Sequence, residues 1–335
     1  MMSQQQLPKN YRQDKQKNLA NLLTEFSGEI DWTWIGDASR RKVTFQIDGK
    51  NRLGFFAPRS HNLIEIESDP LAEEKISALI PQLKKFLKTH EQNFYTQIVV
   101  TLFDNGLDVI FVGKKALDFS KEQKLVNFAK ENDLNISYRF SREAAPIFSP
   151  RPNQIFYDDF KINLTSEIFI QATKSGLESI IKIIRQNIKP KAKLADIYAG
   201  FGAYSFAIHD LTKSVFAFEG DQKMTDLISK NASANGLAQK IKAQLRDLFS
   251  TPLDKNELKD FDQVIINPPR NGATPQVIEI SKSPLKNVIY VSCNPQSFKR
   301  DAKILIDSGF VITSLNAIDQ FYSTEHLELV AIFQK

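Results

Sequence analysis

The only cysteine of this chain, Cys293, closes the run Val288-Ile289-Tyr290-Val291-Ser292-Cys293-Asn294-Pro295. An apolar, β-branched stretch that halts at a thiol and an Asn-Pro turn reads as a buried strand with a nucleophile at its carboxyl end. In open α/β sheets, ligands and chemistry collect at such ends. A lone cysteine is also at home as a small buried hydrophobe, so its company matters. Upstream lie Ala199-Gly200-Phe201-Gly202 and Asn267-Pro268-Pro269-Arg270, and downstream comes His326-Leu327-Glu328.

The glycine loop follows a predicted strand and opens a helix, and its two glycines let the backbone turn tightly beside a ligand. A third glycine is missing, with Ser205 in its place. Asp196 ahead of the loop suits a nucleoside with a short charged tail better than a pyrophosphate. Glu219 ends the next strand, where a carboxylate can accept both ribose hydroxyls. A structural turn would also explain Gly-x-Gly alone. With Glu219 the expected cofactor is S-adenosylmethionine, NAD being the alternative, although an NAD oxidoreductase would leave Cys293 and Asn267 without a task.

These residues need a scaffold, and the second half of the chain supplies the pattern for one. From 192 onward strands alternate with helices, with strands at 193–198, 214–219, 241–245, 261–266, 288–292, 310–315 and 328–333. That rhythm predicts an α/β, doubly wound, Rossmann-like domain with a mostly parallel seven-stranded sheet and an antiparallel edge. The first half differs. Strands at 43–47, 54–56 and 63–67, a helix over 72–87, a hairpin about Asp104-Asn105-Gly106, a helix at 120–132 and a strand at 135–140 make an α+β domain. The reading is a polar segment with a short helix over 1–39, an α+β domain over 40–150, and an α/β domain over 151–335, with a proline-containing junction at 144–153 between the last two.

At 335 residues, with 42% hydrophobic and 25% charged residues, the chain suits two globular domains. No apolar run approaches the roughly 18 residues of a membrane helix, and the first 20 residues lack the apolar core of a signal peptide. One cysteine excludes a disulfide framework or an all-thiolate cluster. A cytoplasmic protein, monomeric and away from membranes, is expected. The net charge of +5 is compatible with a polyanionic partner.

Taken with Tyr290-Val291-Ser292-Cys293-Asn294-Pro295, Asp319-Gln320-Phe321 and His326-Leu327-Glu328, the segment Asn267-Pro268-Pro269-Arg270-Asn271-Gly272-Ala273 resembles the S-adenosylmethionine-dependent RNA uracil-5 methyltransferases. The resemblance runs from about 165 to the C-terminus, and more thinly over 40–87. It implies transfer of a methyl group to C5 of a uridine in RNA, ribosomal RNA being favoured over transfer RNA. Cys293 would be the nucleophile and Glu328 the base. Gln171, Tyr198, Gly200, Gly202, Glu219 and Asn267 would hold the cofactor, and Arg270, Arg41 and His326 would touch the substrate. Uracil C5 is too electron-poor to attack a methyl group until a thiolate adds at C6, and the C5 proton must then leave. By its exposure habit alone, Glu328 could equally be a solvated strand-end carboxylate, and Arg270 a surface residue.

Two departures from the family pattern stand out. Asn267 takes the place of a frequent Asp, keeping the acceptor oxygen without its charge. Ser68-Asp69-Pro70-Leu71 stands where relatives carry cysteines, so no iron–sulfur cluster and no metal is expected. A preceding oligonucleotide-binding barrel is not expected either, which leaves RNA recognition to the central domain. There the cluster Arg40-Arg41-Lys42 and Arg59, with Phe55 and Phe56, could track a phosphate backbone. The competing functions are an amino-group methyltransferase acting on adenine or protein through Asn-Pro-Pro, which needs no cysteine, and a non-catalytic RNA-binding protein.

Overall fold

The computed structural model describes residues 10–26, 28–157, 160–321 and 324–335. Helix α1 (Tyr11–Leu22) and strand β1 (Ile30–Trp34) come first. Two compact units follow from the packing: the described residues through Ile35 together with Ser175–Lys335, and Gly36–Lys174. The sequence suggests boundaries at 39/40 and 150/151. The second falls later because the proline-containing stretch continues the sheet instead of leaving it.

The unit Gly36–Lys174 holds β2 (Lys42–Ile47), β3 (Leu53–Phe56), β4 (Leu63–Glu65), α2 (Glu74–Lys88), β5 (Tyr95–Phe103), β6 (Gly106–Gly113), α3 (Phe119–Asn132), β7 (Leu134–Arg139) and β8 (Ala145–Phe148). Its sheet has the order β4-β3-β2-β5-β6-β7-β8. Strand β8 lies at the edge, where Pro146 opposite Ser137 interrupts no further ladder. Alternating residues Val43, Phe45 and Ile47 are buried with Ile76, Ile80, Leu83 and Leu87 of α2, as the sequence periodicity predicts. The hairpin β9 (Asn153–Tyr157) and β10 (Phe160–Leu164) completes this unit.

The other unit continues with α4 (Lys174–Asn187), which begins at the boundary, then β11 (Lys193–Ile197), α5 (Ala203–Ala207), β12 (Ser214–Glu219), α6 (Gln222–Ala234), β13 (Ile241–Leu245) and α7 (Lys255–Leu258). It closes with β14 (Gln263–Ile266), α8 (Thr274–Lys282), β15 (Asn287–Ser292), α9 (Pro295–Asp307), β16 (Val311–Asp319) and β17 (Glu328–Gln334). The sheet order is β1-β16-β17-β15-β14-β11-β12-β13. Strands β11 to β15 are parallel, β17 runs antiparallel between β15 and β16, and β1 pairs in parallel with β16. This is the expected doubly wound, Rossmann-like sheet of seven strands, with β1 added at its edge. Val288, Ile289, Tyr290 and Val291 are fully buried because helices cover both faces of this central strand. No helix among the described residues is long and apolar enough to cross a membrane.

Helix α1 sets Leu19, with Leu23 just beyond its end, into the same core as Phe298, Leu305 and Phe310. Leu19→Ala removes a buried isobutyl group and should lower the stability of this unit by about 2–4 kcal/mol, read from urea denaturation.

Candidate active site

Four parallel strands finish along one edge of the eight-stranded sheet. Ile197 of β11 is in register with Phe218 of β12 and Ile266 of β14, and Ile266 with Tyr290 of β15. Tyr198, Glu219 and Asn267 therefore stand side by side just past that line, and Cys293 stands slightly beyond it. Strand β17 runs the other way with Leu329 opposite Ser292, so Glu328 starts its strand beside the end that carries Cys293.

The loop after β11 turns through three left-handed residues: Tyr198 (φ 64°), Gly200 (φ 57°) and Gly202 (φ 85°). For Tyr198, which has a Cβ, that conformation costs roughly 1–2 kcal/mol. The turn is secured by Glu219, whose Oε2 accepts from the Gly200 N–H at 2.8 Å while Oε1 accepts from the Asp221 N–H at 3.0 Å. Each carboxylate oxygen keeps a lone pair for a further donor. Beneath the loop, Asp196 is fully buried; its Oδ2 accepts from Ser205 Oγ at 2.6 Å and Ser205 N at 3.1 Å, while Oδ1 has no hydrogen-bond partner. Burial pushes its carboxyl up to about 6, with the two Ser205 bonds opposing. A Cβ on Gly200 would meet nothing within 4 Å, so the loop is open on that side. A buried acid with an unmet oxygen, an open glycine turn and a strand-end carboxylate together fit a cationic nucleoside such as S-adenosylmethionine. Tyr198 packs its ring on Phe249 at 5.3 Å, and burial holds its phenol protonated.

The Asn267–Ala273 loop is tied to β15, the strand that leads to Cys293, by groups that sequence reasoning missed. Asp301 of α9, fully buried, accepts from Ala273 N at 2.7 Å, Thr274 Oγ at 2.6 Å and the Tyr290 hydroxyl at 2.7 Å. Gly272 has φ 79°, and a Cβ there would lie 2.6 Å from Asp301 Oδ2. Asn294 caps α9 through Gln296 N at 3.0 Å and donates to the Arg270 carbonyl at 2.8 Å. A signal for Asp301 existed, because it shares a buried helical stripe with Phe298, Ala302 and Leu305.

Cys293 is half-buried, and its thiol is held up chiefly by that burial and then by the Glu328 carboxylate, with Arg270 pulling the other way. A thiol with a lowered pKa is what thiolate chemistry prefers, and burial here does the opposite. Glu328 is 4% exposed and accepts from Gln320 Nε2 at 3.1 Å, which sets aside the solvated-carboxylate reading. Arg270 is exposed. His326 is also exposed; its ring meets Phe321 edge-on at 5.7 Å, and burial and the Arg270 and Lys15 charges lower its pKa.

Gln171 and Arg41 belong to the other unit. Arg41 is 2% exposed and donates from Nε to the Gln171 carbonyl at 3.0 Å, so it braces that segment and does not lie open to a phosphate. Lys42 likewise spends its ammonium on the Ile168 carbonyl at 2.8 Å, and Phe55 packs on the core while Phe56 faces outward. The expected solvent-facing basic cluster is thus reduced to Arg40 and Arg59. Among the described residues no group of three or more His, Cys, Asp or Glu is arranged to hold a metal ion.

A family model described as tRNA (uracil-5-)-methyltransferase matches residues 9–335. A protein of Caulobacter vibrioides described as an uncharacterized RNA methyltransferase is 31% identical over 310 residues, covering 89% of this chain and 74% of its own. A 23S rRNA (uracil-C(5))-methyltransferase of Shewanella piezotolerans is 28% identical over 325 residues, covering 94% of this chain and 72% of that protein. Among solved structures, the Pyrococcus abyssi tRNA (uracil-54, C5)-methyltransferase in complex with S-adenosyl-L-homocysteine matches with a TM-score of 0.79 at 21% identity, over 96% of this chain and 82% of that one.

The site's electrostatics make a signed prediction about its single thiol. The Glu328 carboxylate raises the Cys293 pKa and Arg270 lowers it. Iodoacetamide alkylation measured against pH should therefore show a midpoint above that of a free cysteine. Glu328→Gln should move the midpoint down, and Arg270→Ala should move it up.

Proposed function

The chain belongs to the tRNA (uracil-5-)-methyltransferase family and is an S-adenosylmethionine-dependent RNA uracil-5-methyltransferase, and from that premise we propose that it methylates a uridine of ribosomal RNA through a covalent bond between Cys293 and C6 of the base. What carries this reading is the adjacency of two strand ends, with Ser292 opposite Leu329, which sets a thiol and a buried carboxylate on the same side of the sheet.

S-adenosylmethionine supplies the methyl group as an electrophile. The chain's own residues do the rest. Cys293 Sγ bonds to C6, and the electron pair displaced from the C5–C6 double bond makes C5 a nucleophile. C5 takes the methyl group. Glu328 then removes the C5 proton, the double bond re-forms and the C6–S bond breaks, returning the thiolate. Because burial holds the resting thiol protonated, its proton passes to solvent before Sγ bonds to C6, with the Arg270 charge favouring the thiolate. A base in a folded RNA must leave its stack to reach the thiol.

Glu219 is positioned to hold the ribose, Asn267 and Tyr198 the base and sulfonium side of the cofactor, and the Gly200–Gly202 turn its close edge. Gln171 takes the methionine end. Arg270 and His326, both exposed beside Cys293 and Glu328, meet the RNA. The unit Gly36–Lys174 supplies RNA recognition, and the enzyme works as a cytoplasmic monomer without a metal or cluster. Ribosomal RNA is favoured over transfer RNA by the likeness to the Shewanella relative.

Mutants of the two catalytic residues should fail at different stages. Cys293→Ala should neither methylate nor bond to RNA. Glu328→Gln should form a protein–RNA band on a denaturing gel that depends on S-adenosylmethionine and disappears when Cys293 is also replaced. Nucleoside mass spectrometry of separated RNA pools should show 5-methyluridine missing from ribosomal RNA in cells that lack the gene. An active Cys293→Ala enzyme would overturn the covalent route, and a loss confined to transfer RNA would overturn the choice of substrate.

A further inference from the structure

Strands β16 and β17 are joined by the segment that carries Gln320, His326 and, at its end, Glu328. Its support comes from the far end of the chain. Lys15 of α1 is only 7% exposed, and its ammonium donates to Asp319 Oδ1 at 2.8 Å, the Thr324 carbonyl at 2.9 Å and the Tyr11 hydroxyl at 3.0 Å. Tyr11 donates to Asp319 Oδ2 at 2.9 Å, so both oxygens of a carboxylate that is 2% exposed are held by one helix turn. The Asp319 carbonyl accepts from Ile35 N at 3.0 Å, just past the β1 ladder. The next residue, Gln320, donates to Glu328 Oε2. Arg12 lies over the Trp34 ring at 5.1 Å, and Tyr11 meets that ring edge-on at 6.5 Å, which keeps this face of α1 against β1.

A buried ion pair is an expensive way to join two elements, since an apolar pair of similar size is often as stable or more so. What an ammonium adds is direction, because its donors fix the angles of the groups around them. Here two acceptors, Asp319 and the Thr324 carbonyl, are fixed at once from one ammonium, with the Tyr11 hydroxyl of its own helix as the third.

We propose that Lys15, with Tyr11 and Asp319, acts as a positioning group for Glu328: by clamping the Asp319 carboxylate and the Thr324 carbonyl, it fixes the loop from which Gln320 aims the Glu328 carboxylate at the C5 proton. The inference rests on the assignment of Glu328 as the base. It makes the N-terminal helix part of the elimination step, although none of its residues touches the reacting atoms.

The test uses the full chain, labelled S-adenosylmethionine and total RNA from cells lacking the gene, with Glu328→Gln as reference. Lys15→Met should slow turnover about 10- to 100-fold, the scale of a misplaced reacting group. It should accumulate the S-adenosylmethionine-dependent protein–RNA band while cofactor affinity stays within about two-fold. Lys15→Arg should restore most of the turnover. The double variant Lys15→Met/Asp319→Leu removes the buried charges together, so it should melt no lower than the native chain and still accumulate the band. A double variant that turns over at the native rate would overturn the proposal, as would a Lys15→Met enzyme that is slow without any band. If Glu328→Gln itself forms no band, the base assignment fails, and this inference falls with it.

Discussion

A carboxylate buried away from water must have its lone pairs met by neighbours, and Asp301 meets this demand by drawing three elements to one point. Its oxygens collect the backbone of Ala273, the hydroxyl of Thr274 and the hydroxyl of Tyr290. The Asn267–Ala273 loop, the start of α8, β15 and α9 are thereby fixed relative to one another. Removing the carboxylate would leave buried donors without acceptors, which costs more than the bonds themselves are worth. The distance from the Asn267–Ala273 loop to Cys293 depends on this knot, because that loop follows β14, Cys293 follows β15 and Asp301 is the cross-tie between their ends. Gly272 belongs to the same constraint, since a side chain there would displace the carboxylate.

The site is built from groups that share an edge but differ in how they are held. Glu219 is locked by backbone N–H groups, so its position follows from the fold of the glycine turn. Glu328 is held by a side-chain amide, and so depends on the loop that carries Gln320. The Cys293 thiol is held up by burial first and then by the Glu328 carboxylate, with Arg270 opposing both.

Much of this could be read from the sequence because the relevant signals are local. Alternation in Val43–Ile47, the β-branched run ending at Ser292 and the Gly-x-Gly after Ile197 each specify their structure within a few residues. Strand β1 was missed although Ile30-Asp31-Trp32-Thr33-Trp34 alternates as a strand does, because its partner, β16, lies far along the chain. Arg41 and Lys42 misled for a similar reason: two cations in a row look like a solvated patch until the carbonyls of Gln171 and Ile168, far along the chain, take them inside. Pairings set by tertiary packing leave no trace in a short window, and that of Lys15 with Asp319 belongs to that class.

The parallel pairing of β1 with β16 has a consequence for how the molecule is made. Strand β1 belongs to the same sheet as strands made much later in the chain, with the unit Gly36–Lys174 synthesised between them. That intervening unit has all of its own strands in hand while the rest is still being translated, and domains that are complete can fold as they emerge. Residues 30–34 must wait for residues 315–319, so this sheet cannot close its edge until those residues have been made. A nascent chain that has not reached them holds the glycine turn and Cys293 but neither the partner of β1 nor Glu328.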